Sequence, residues 1–378
     1  MSARSPATPR RSGRGEAPDS SSTQQAHVLA DGEIAARLLA WFDRHGRVDL
    51  PWQHPRTPYR VWLSEIMLQQ TQVSVVSGYF ERFVSALPDL PALARASQDQ
   101  VLALWSGLGY YARARNLHAT AKLCVERHDG DLPRDLDALI ALPGIGRSTA
   151  GAILSQAWND RAPILDGNVK RVLCRLFGIG GWPGTPAVEK QLWSIAASLL
   201  PDARLADWTQ AQMDFGATLC TRASPSCAIC PLQDACVARR EGRIAELPAA
   251  KPGSKPLPQR ETRMLIVEDP AGRVLLWRRP PTGVWASLWS LPQHESSDEA
   301  QAWFQRHLDG DFASARALPA LDHGFTHFRL RIHPRLIAVN GPRAAIGDNA
   351  DLRWASRAEL AAIGLPAPVR KLLQEQTE

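Results

Sequence analysis

The sequence predicts two domains: a mainly α-helical domain at residues 28–245 and a smaller α+β domain at residues 261–378. The chain has 378 residues, which is longer than a single domain with one hydrophobic core usually is. Apolar residues recur mostly at helical spacing as far as about Arg243, and strand-like patterns follow. Between them, the proline-rich, polar stretch from Pro248 to Pro258 is typical of a linker, which we place at residues 246–260.

Helical spacing is clearest in one long apolar stripe of the first domain. Its members recur at helical steps, which predicts an amphipathic helical region. They are Trp62, Ile66, Val73, Val76, Phe80, Phe83 and Leu87. Two further helical runs, Arg134–Leu142 and Ser148–Trp158, flank a turn that contains glycine.

The pattern changes to strands after the linker. Met264–Val267 and Val274–Trp277, separated by a turn at Asp269–Gly272, predict a β-hairpin. Phe328–His333 alternates like a half-buried strand. The spacing also predicts helices at Ser297–Leu308 and Arg357–Ile363, so we expect an α+β domain.

Composition favours a nucleic-acid partner over a membrane. Lys and Arg number 44 against 38 Asp and Glu, a net charge of +6, and a basic surface suits a polyanion. No apolar run approaches the length that crosses a bilayer. Residues 1–27 are polar, with arginines but no apolar segment behind them. We therefore expect a disordered tail rather than a secretion signal, and a cytoplasmic, nucleoid-associated protein.

Four cysteines lie close together in the loop 220–236: Cys220, Cys227, Cys230 and Cys236. Four clustered thiolates can hold one zinc ion or one [4Fe–4S] cluster. Structural zinc sites usually pair two short Cys-x2-Cys knuckles, and only one occurs here, which favours the cluster. The spacing resembles the cluster loop of the endonuclease III superfamily of DNA glycosylases. This resemblance implies a mainly structural [4Fe–4S] cluster that shapes a basic loop against DNA.

A string between two helical runs is similar to the helix–hairpin–helix motif of the same superfamily. Two glycines around one aliphatic residue make a tight turn, which leaves backbone N–H groups free at a helix start to bind a phosphate. The residues expected to bind DNA here are Leu142, Pro143, Gly144, Ile145, Gly146 and Ser148. In the bifunctional relatives, a lysine in this motif attacks the sugar and cleaves the strand. The matching Ser148 cannot form a Schiff base, so we expect hydrolysis by water without efficient strand cleavage.

Two carboxylates are candidates for breaking an N-glycosidic bond, which needs an acid for the departing base and an anion for the sugar cation. Glu65 has apolar neighbours, and burial would raise its pKa and keep a proton available. Asp166 precedes a helical run, and a carboxylate at a helix start tends to stay ionised.

The string from Trp62 to Val73 closely resembles the catalytic helix of the adenine DNA glycosylases of the MutY family. The resemblance implies that Glu65 protonates the adenine ring. It implies that Asp166 stabilises the sugar cation, either electrostatically or as a transient covalent partner. Asn168 would orient Asp166 or the attacking water.

The same resemblance assigns residues that open the duplex and hold the extruded base. Extruding the base costs roughly a few kcal/mol of unstacking and unpairing free energy. It implies that Tyr110 inserts beside the oxidised guanine and that Gln70 is a polar wedge on the catalytic helix. Trp52, Leu68 and Gln210 correspond to positions of the adenine pocket.

Residues 261–378 resemble the C-terminal domain of that family, which is related to Nudix hydrolases. The glutamate-rich helix that binds magnesium in active Nudix enzymes is absent from the sequence, so we expect recognition rather than hydrolysis. The family reads oxidised guanine through a Phe-Ser-His loop. Phe325, Thr326 and His327 stand in its place, and threonine keeps the hydroxyl while adding a methyl group.

The sequence thus predicts a monofunctional, monomeric member of this family that acts on double-stranded DNA with adenine opposite 8-oxoguanine or guanine. One alternative is an endonuclease III-type glycosylase/lyase for oxidised pyrimidines, which Ser148, Glu65 and the extra domain disfavour. A second is a hydrolase of oxidised nucleotides, which the missing magnesium helix disfavours. A third is a non-catalytic DNA sensor, which the two carboxylates disfavour.

Overall fold

The computed structural model describes residues 30–253, 256–342 and 350–375, and the tail expected at residues 1–27 lies outside them. The first part of the described chain is helical, as predicted. Its α-helices are α1 (Asp31–His45), α2 (Pro58–Leu68), α3 (Val73–Ala86), α4 (Leu90–Arg95), α5 (Gln98–Trp105), α6 (Ala112–Arg127), α7 (Leu136–Ile140), α8 (Arg147–Trp158), α9 (Gly167–Leu176), α10 (Pro186–Ser198), α11 (Leu205–Asp214) and α12 (Val237–Arg240). A π-helical turn, Phe215–Leu219, continues α11. No helix of the described ranges is long and apolar enough to cross a membrane.

Local signals set the starts of the two helices that matter most for the site. The Thr57 hydroxyl accepts the N–H of Arg60 at 3.3 Å, and Pro58 occupies the first position of α2. Asp166 caps α9 by accepting the N–H of Val169 at 2.8 Å. Each of these helices carries or begins at one candidate catalytic carboxylate.

Helix α8 lies at the centre of the helical part, where it packs against α2 and α11. Gly151 permits a close approach to the chain that leads into α9. A Cβ at this position would lie 2.3 Å from the carbonyl oxygen of Pro163. A larger residue would therefore push α8 away from the segment that precedes Asp166.

The remainder is built around a mixed β-sheet. Its strands are β1 (Gln259–Glu268), β2 (Val274–Arg278), β3 (Trp289–Ser290), β4 (Gln293–His294), β5 (Leu308–Asp309), β6 (Arg316–Ala317), β7 (Leu321–Gly324), β8 (Arg329–Ala338), β9 (Gly341–Pro342) and β10 (Leu352–Ala355). The central order is β10-β2-β1-β8-β6; β3, β4 and β7 add to β2, β1 and β8, and β5 pairs separately with β9. Strands β1 and β8 run parallel, whereas β1 and β2 form the predicted antiparallel hairpin. The accompanying helices are α13 (Ser297–His307), α14 (Arg357–Leu360) and α15 (Ala367–Gln374).

Four sequence-based boundaries differ clearly from the structure. The stripe from Trp62 to Leu87 is two helices, because α2 ends at Leu68 and α3 begins at Val73. Both helices bury their apolar faces in one core, so the periodicity continues across the turn. Helices α7 and α14 are shorter than expected, and β1 begins at Gln259, inside the stretch assigned to the linker.

The helical part and the sheet share one hydrophobic core. The hydroxyls of Tyr111 and Ser106 donate to the Leu365 carbonyl at 3.0 and 3.1 Å. Arg278 pairs with Asp99 at 2.7 Å across the same boundary. These contacts tie the helical part to the C-terminal part, and Tyr111 also lines a cavity between them.

Candidate active site

A cavity of about 790 Å³ opens between α2, α8, α9 and α11. Helix ends and inward-facing side chains line it, and many of these positions are distant in sequence. The cavity brings together all six predicted catalytic and pocket residues, namely Trp52, Glu65, Leu68, Asp166, Asn168 and Gln210. Two predicted DNA-binding residues, Gln70 and Ser148, line it as well. We call it the catalytic cavity.

Glu65 lies half-buried in the wall of the catalytic cavity. The Nε2 amide of Gln156 donates to its Oε1 at 3.1 Å. Burial first, and the negative charge of Asp166 second, raise the pKa of Glu65 to about 7, and the Gln156 hydrogen bond opposes them. Glu65 can therefore hold a proton near neutral pH and give it up.

Gln156 is a contact that the sequence reasoning missed. It is 4% exposed and lies on α8, in the helical run predicted at Ser148–Trp158. A lone amide among apolar residues of a buried helix was the available signal, because a buried polar group needs a partner. Nothing in the sequence pointed to Glu65 as that partner.

Asp166, at the start of α9, lines the same cavity as Glu65. Besides the bond from Val169, it accepts the Nδ2 amide of Asn168 at 3.3 Å. Burial raises the pKa of Asp166, which the helix-start argument did not anticipate, while the N–H bonds and the nearby Arg171 act in the opposite direction. Since the negative charge of Asp166 raises the pKa of Glu65, an ionised Asp166 favours the protonated form of Glu65.

Asn168 is held by Arg171, which also contacts the cysteine loop. Arg171 Nη2 donates to Asn168 Oδ1 at 2.9 Å and to the Gly216 carbonyl at 2.6 Å, and its Nε donates to the Cys220 carbonyl at 2.9 Å. A Cβ on Gly216 would lie 2.6 Å from the Asn168 Cβ. Only glycine leaves room for Asn168 at this position.

Gln210 is fixed by a buried acid that the sequence reasoning missed. Its Nε2 donates at 2.8 Å to Asp214 Oδ1, and Asp214, with no exposed surface, also pairs with Arg47 at 2.6 Å. Because a carboxylate only accepts hydrogen bonds, the amide nitrogen of Gln210 must face Asp214. The Gln210 carbonyl oxygen is left for the catalytic cavity, and Trp52, 2% exposed, lines the same cavity.

The glycine turn lies between α7 and α8. Gly144 has φ +79°, and a Cβ there would lie 2.9 Å from the Asn116 Cβ, so the turn requires glycine. Leu142 and Ile145 are 6% and 4% exposed. Their side chains belong to the core, so only their backbone could meet a phosphate, which is the contact that the motif predicts.

The other hairpin residues surround this turn. The Pro143 carbonyl accepts the Thr120 hydroxyl at 2.9 Å, and exposed Gly146 precedes α8, whose first N–H groups lack helical acceptors. The Ser148 hydroxyl accepts the Leu165 N–H at 3.0 Å and lines the catalytic cavity. Ser148 thereby ties α8 to the chain entering Asp166.

A second cavity, of about 690 Å³, lies between the helical part and the sheet; we call it the interdomain cavity. Tyr110, 47% exposed, lines it together with Phe325, Thr326 and His327. Phe325 stacks on Phe328 with ring centroids 4.4 Å apart, and the Thr326 and His327 side chains are exposed. The structure thus brings Tyr110 and the predicted recognition loop to one surface.

Tyr110 and Gln70 share an unusual backbone conformation. Their φ values are +48° and +59°, in the left-handed region that residues with a Cβ rarely adopt. The prediction that Gln70 lies on the catalytic helix is wrong, because α2 ends at Leu68 and Gln70 occupies the exposed turn behind it. Such strain persists only where surrounding contacts impose it.

The four loop cysteines are free and line one small cavity of about 30 Å³. Arg175 crosses this loop, where its Nη1 lies 3.5 Å from Cys220 Sγ and donates to the Thr221 carbonyl at 2.7 Å. Within the described residues, no three His, Cys, Asp or Glu side chains converge closely enough to hold a metal ion.

The fold is that of a DNA glycosylase of the helix–hairpin–helix class, and its catalytic cavity holds the two predicted carboxylates. Residues 63–198 match the family model described as HhH-GPD superfamily base excision DNA repair protein, and residues 263–375 match a NUDIX domain. The structure of a thermostable thymine-DNA glycosylase is similar, with a TM-score of 0.52 and 26% identity, over 56% of this chain and 97% of that one.

More specific similarity comes from proteins named adenine DNA glycosylase. The one from Buchnera aphidicola subsp. Acyrthosiphon pisum is 38% identical over 337 residues, 89% of this chain and 95% of its own length. The Rattus norvegicus and Homo sapiens proteins are 34% and 32% identical, over 93% of this chain and 80% and 76% of theirs. The chain belongs to the adenine DNA glycosylase family, as its motifs predicted. It is therefore a base-excision repair glycosylase, a hydrolase that acts on N-glycosyl bonds.

Proposed function

We propose that the protein removes adenine mispaired with 8-oxoguanine, or with guanine, from double-stranded DNA. The shared name of its relatives supports adenine as the substrate. The observation that carries the proposal is Glu65, a carboxyl with a pKa of about 7 in the same cavity as Asp166. That pair supplies the acid and the anion that this bond cleavage needs.

Glu65 acts as the general acid. Its proton passes to a ring nitrogen of the extruded adenine, and the bond between the sugar C1′ and the base nitrogen then breaks. The bonding electron pair leaves with the base, which departs as neutral adenine. A donor whose pKa lies near the working pH suits this step.

The bond cleavage leaves positive charge on the sugar. An ionised Asp166 stabilises that charge, either electrostatically or by a transient bond to C1′. Water then adds at C1′, breaks any transient bond to Asp166 and gives its proton to the Glu65 carboxylate. Asn168, held by Arg171, orients the water or Asp166.

Base selection follows from Gln210. With its amide nitrogen committed to Asp214, its carbonyl oxygen can accept a hydrogen bond from the exocyclic amino group of adenine. Trp52 and Leu68 supply apolar walls for the flat base.

We infer that the enzyme is monofunctional. Strand cleavage by this class requires an amine that forms a Schiff base, and the Ser148 hydroxyl instead holds the Leu165 backbone. Borohydride should trap little covalent protein–DNA complex, and strand breaks should appear only after alkali. Trapping in high yield would show a lyase instead.

Duplex binding is assigned to the turn between α7 and α8. The N–H groups at the start of α8 and the exposed backbone at Gly144 and Gly146 suit a phosphate, as expected for a substrate that is duplex DNA in the nucleoid. We expect the protein to bind DNA as a monomer, and size-exclusion chromatography with light scattering tests that state.

Lesion reading is assigned to the interdomain cavity. Tyr110 would stack beside the oxidised guanine, while Thr326 and His327 offer exposed hydrogen-bonding groups next to it. Thr326→Val removes the hydroxyl and keeps the shape. It should reduce the preference for 8-oxoguanine over guanine opposite adenine, and an unchanged preference would refute this assignment.

The cysteine loop is assigned to one [4Fe–4S] cluster. A single zinc ion needs its sulfurs at about 2.3 Å from one point, whereas a cluster places several atoms between thiolates that share a cavity. Cys220, Cys227, Cys230 and Cys236 would be the ligands. The bound cluster supplies a covalent brace for the loop. About four iron and four sulfide per chain are expected, and zinc without sulfide would refute the assignment.

The central experiment measures adenine release from a duplex with adenine opposite 8-oxoguanine. Wild-type protein should release adenine, Glu65→Gln should not, and Glu81→Gln, at an exposed glutamate of α3, should match wild type. No release by folded, cluster-loaded wild-type protein would refute adenine as the substrate.

A further inference from the structure

Arg113, near the start of α6, is buried at 8% exposure. None of the described acids lies within ion-pair distance of its guanidinium, which donates instead to backbone carbonyls and one hydroxyl. Its acceptors are the carbonyls of Ile66 (2.9 Å), Met67 (2.8 Å), Gln69 (2.6 Å), Leu108 (3.1 Å) and Gly109 (3.2 Å) and the Thr71 hydroxyl (3.3 Å).

These acceptors belong to two separate chain segments. One segment is the end of α2 and the turn behind it, and its acceptors flank Gln70. The other is the loop before α6, and its acceptors directly precede Tyr110. The guanidinium carbon also lies 5.5 Å from the centre of the Tyr110 ring.

Both segments need an outside constraint. Gln70 and Tyr110 have left-handed backbone conformations that their sequence does not favour. The last carbonyls of α2 have no N–H donors within the helix, and a cation near the C-terminal end of a helix is favourable. One planar guanidinium with several fixed donors can satisfy both segments at once, which the flexible ammonium of lysine cannot.

We propose that Arg113 is a positioning residue that sets the spacing of the two duplex wedges, Gln70 and Tyr110. This inference rests on the proposed function, in which those side chains enter the DNA. It adds a physical link between the cavity that would read the lesion and the end of the helix that carries Glu65.

The test is base extrusion, followed with 2-aminopurine in place of adenine opposite 8-oxoguanine, together with single-turnover adenine release from the natural mispair. Arg113→Gln should lower the extrusion signal and slow release by roughly 10- to 100-fold. Duplex affinity should change less than about threefold, because the α7–α8 turn is intact. Arg127→Gln, at the exposed end of the same helix, is the matched control and should behave as wild type.

A double-mutant cycle separates positioning from general damage. In a background with Gln70→Ala and Tyr110→Ala, Arg113→Gln should slow adenine release by less than about threefold further, because the side chains that Arg113 positions are already absent. The same loss in both backgrounds would overturn the proposal. Should Arg113→Gln not fold, Arg113→Lys carries the same cycle with charge retained.

Failure of the proposed function and failure of the Arg113 inference give different results. If wild-type protein extrudes 2-aminopurine but releases no adenine, the proposed function fails and this inference is still judged by the extrusion cycle. If wild-type release is normal and the Arg113 effect is equal in both backgrounds, only this inference fails.

Discussion

The Gln156 hydrogen bond to Glu65 should control the pH range in which the enzyme works. The bond stabilises the charged carboxylate and so lowers its pKa against the effects of burial and Asp166. Gln156→Leu removes the donor at similar volume. The pKa of Glu65 should then rise, and the protonated form that donates to the base should persist to higher pH.

The size of the effect follows from the free energy of the bond. Since the pKa of Glu65 is about 7, adenine release should fall about tenfold per pH unit above that value in wild-type protein. A hydrogen bond to a charged group contributes about 1.5 kcal/mol, and about 1.4 kcal/mol corresponds to one pKa unit. The descending limb of the pH–rate profile should therefore move by about one pH unit toward alkaline pH in Gln156→Leu.

Single-turnover adenine release between about pH 5.5 and 9 measures the limb directly. Gln191→Leu, at an exposed position of α10, is the matched control and should keep the wild-type profile. A limb that stays in place, or moves toward acid pH, in Gln156→Leu would refute the reasoning. Because Glu65→Gln should release no adenine at any pH, the shift of the limb in Gln156→Leu is the result that assigns the limb to Glu65.

Three further substitutions test the packing behind the site. Gly216→Ala should displace Asn168, because the new Cβ would lie 2.6 Å from the Asn168 Cβ. Single-turnover adenine release should then slow roughly tenfold or more, and an unchanged rate would contradict the proposed role of Asn168. Asp214→Asn should lower the free energy of unfolding by about 2 kcal/mol, because it leaves a partly exposed arginine without its acid, and denaturant unfolding should show this. Gly151→Ala should lower the free energy of unfolding by about 1–3 kcal/mol, and with it the thermal midpoint, because the new Cβ would lie 2.3 Å from the Pro163 carbonyl oxygen. An unchanged midpoint would show that α8 can shift.

The sequence predicted those features whose signal is local. Asp166 was expected to cap a helix, and it does so through the N–H of Val169, only three residues away. The hairpin of β1 and β2 and the helix α13 were likewise predicted from short periodic stretches. Local rules work here because the interacting groups are neighbours in the chain.

Contacts between distant residues left no such signal. Gln156 is 91 residues from Glu65, and Arg47 is 167 residues from Asp214, so only the packed helices bring them together. Periodicity also hid the turn after α2, because both flanking helices bury the same kind of face. A motif string likewise does not tell which of its atoms face outward, as buried Leu142 shows.

Arg171 links the cysteine loop to the proposed catalytic residues by a route that requires no contact with DNA. One guanidinium holds both the Asn168 amide, next to the candidate catalytic Asp166, and the carbonyl of Cys220, the first loop cysteine. A displacement of that carbonyl is therefore transmitted to Asn168 through a single side chain. Damage to the loop would appear in kinetic measurements as a slower chemical step, even when the affinity for DNA is unchanged.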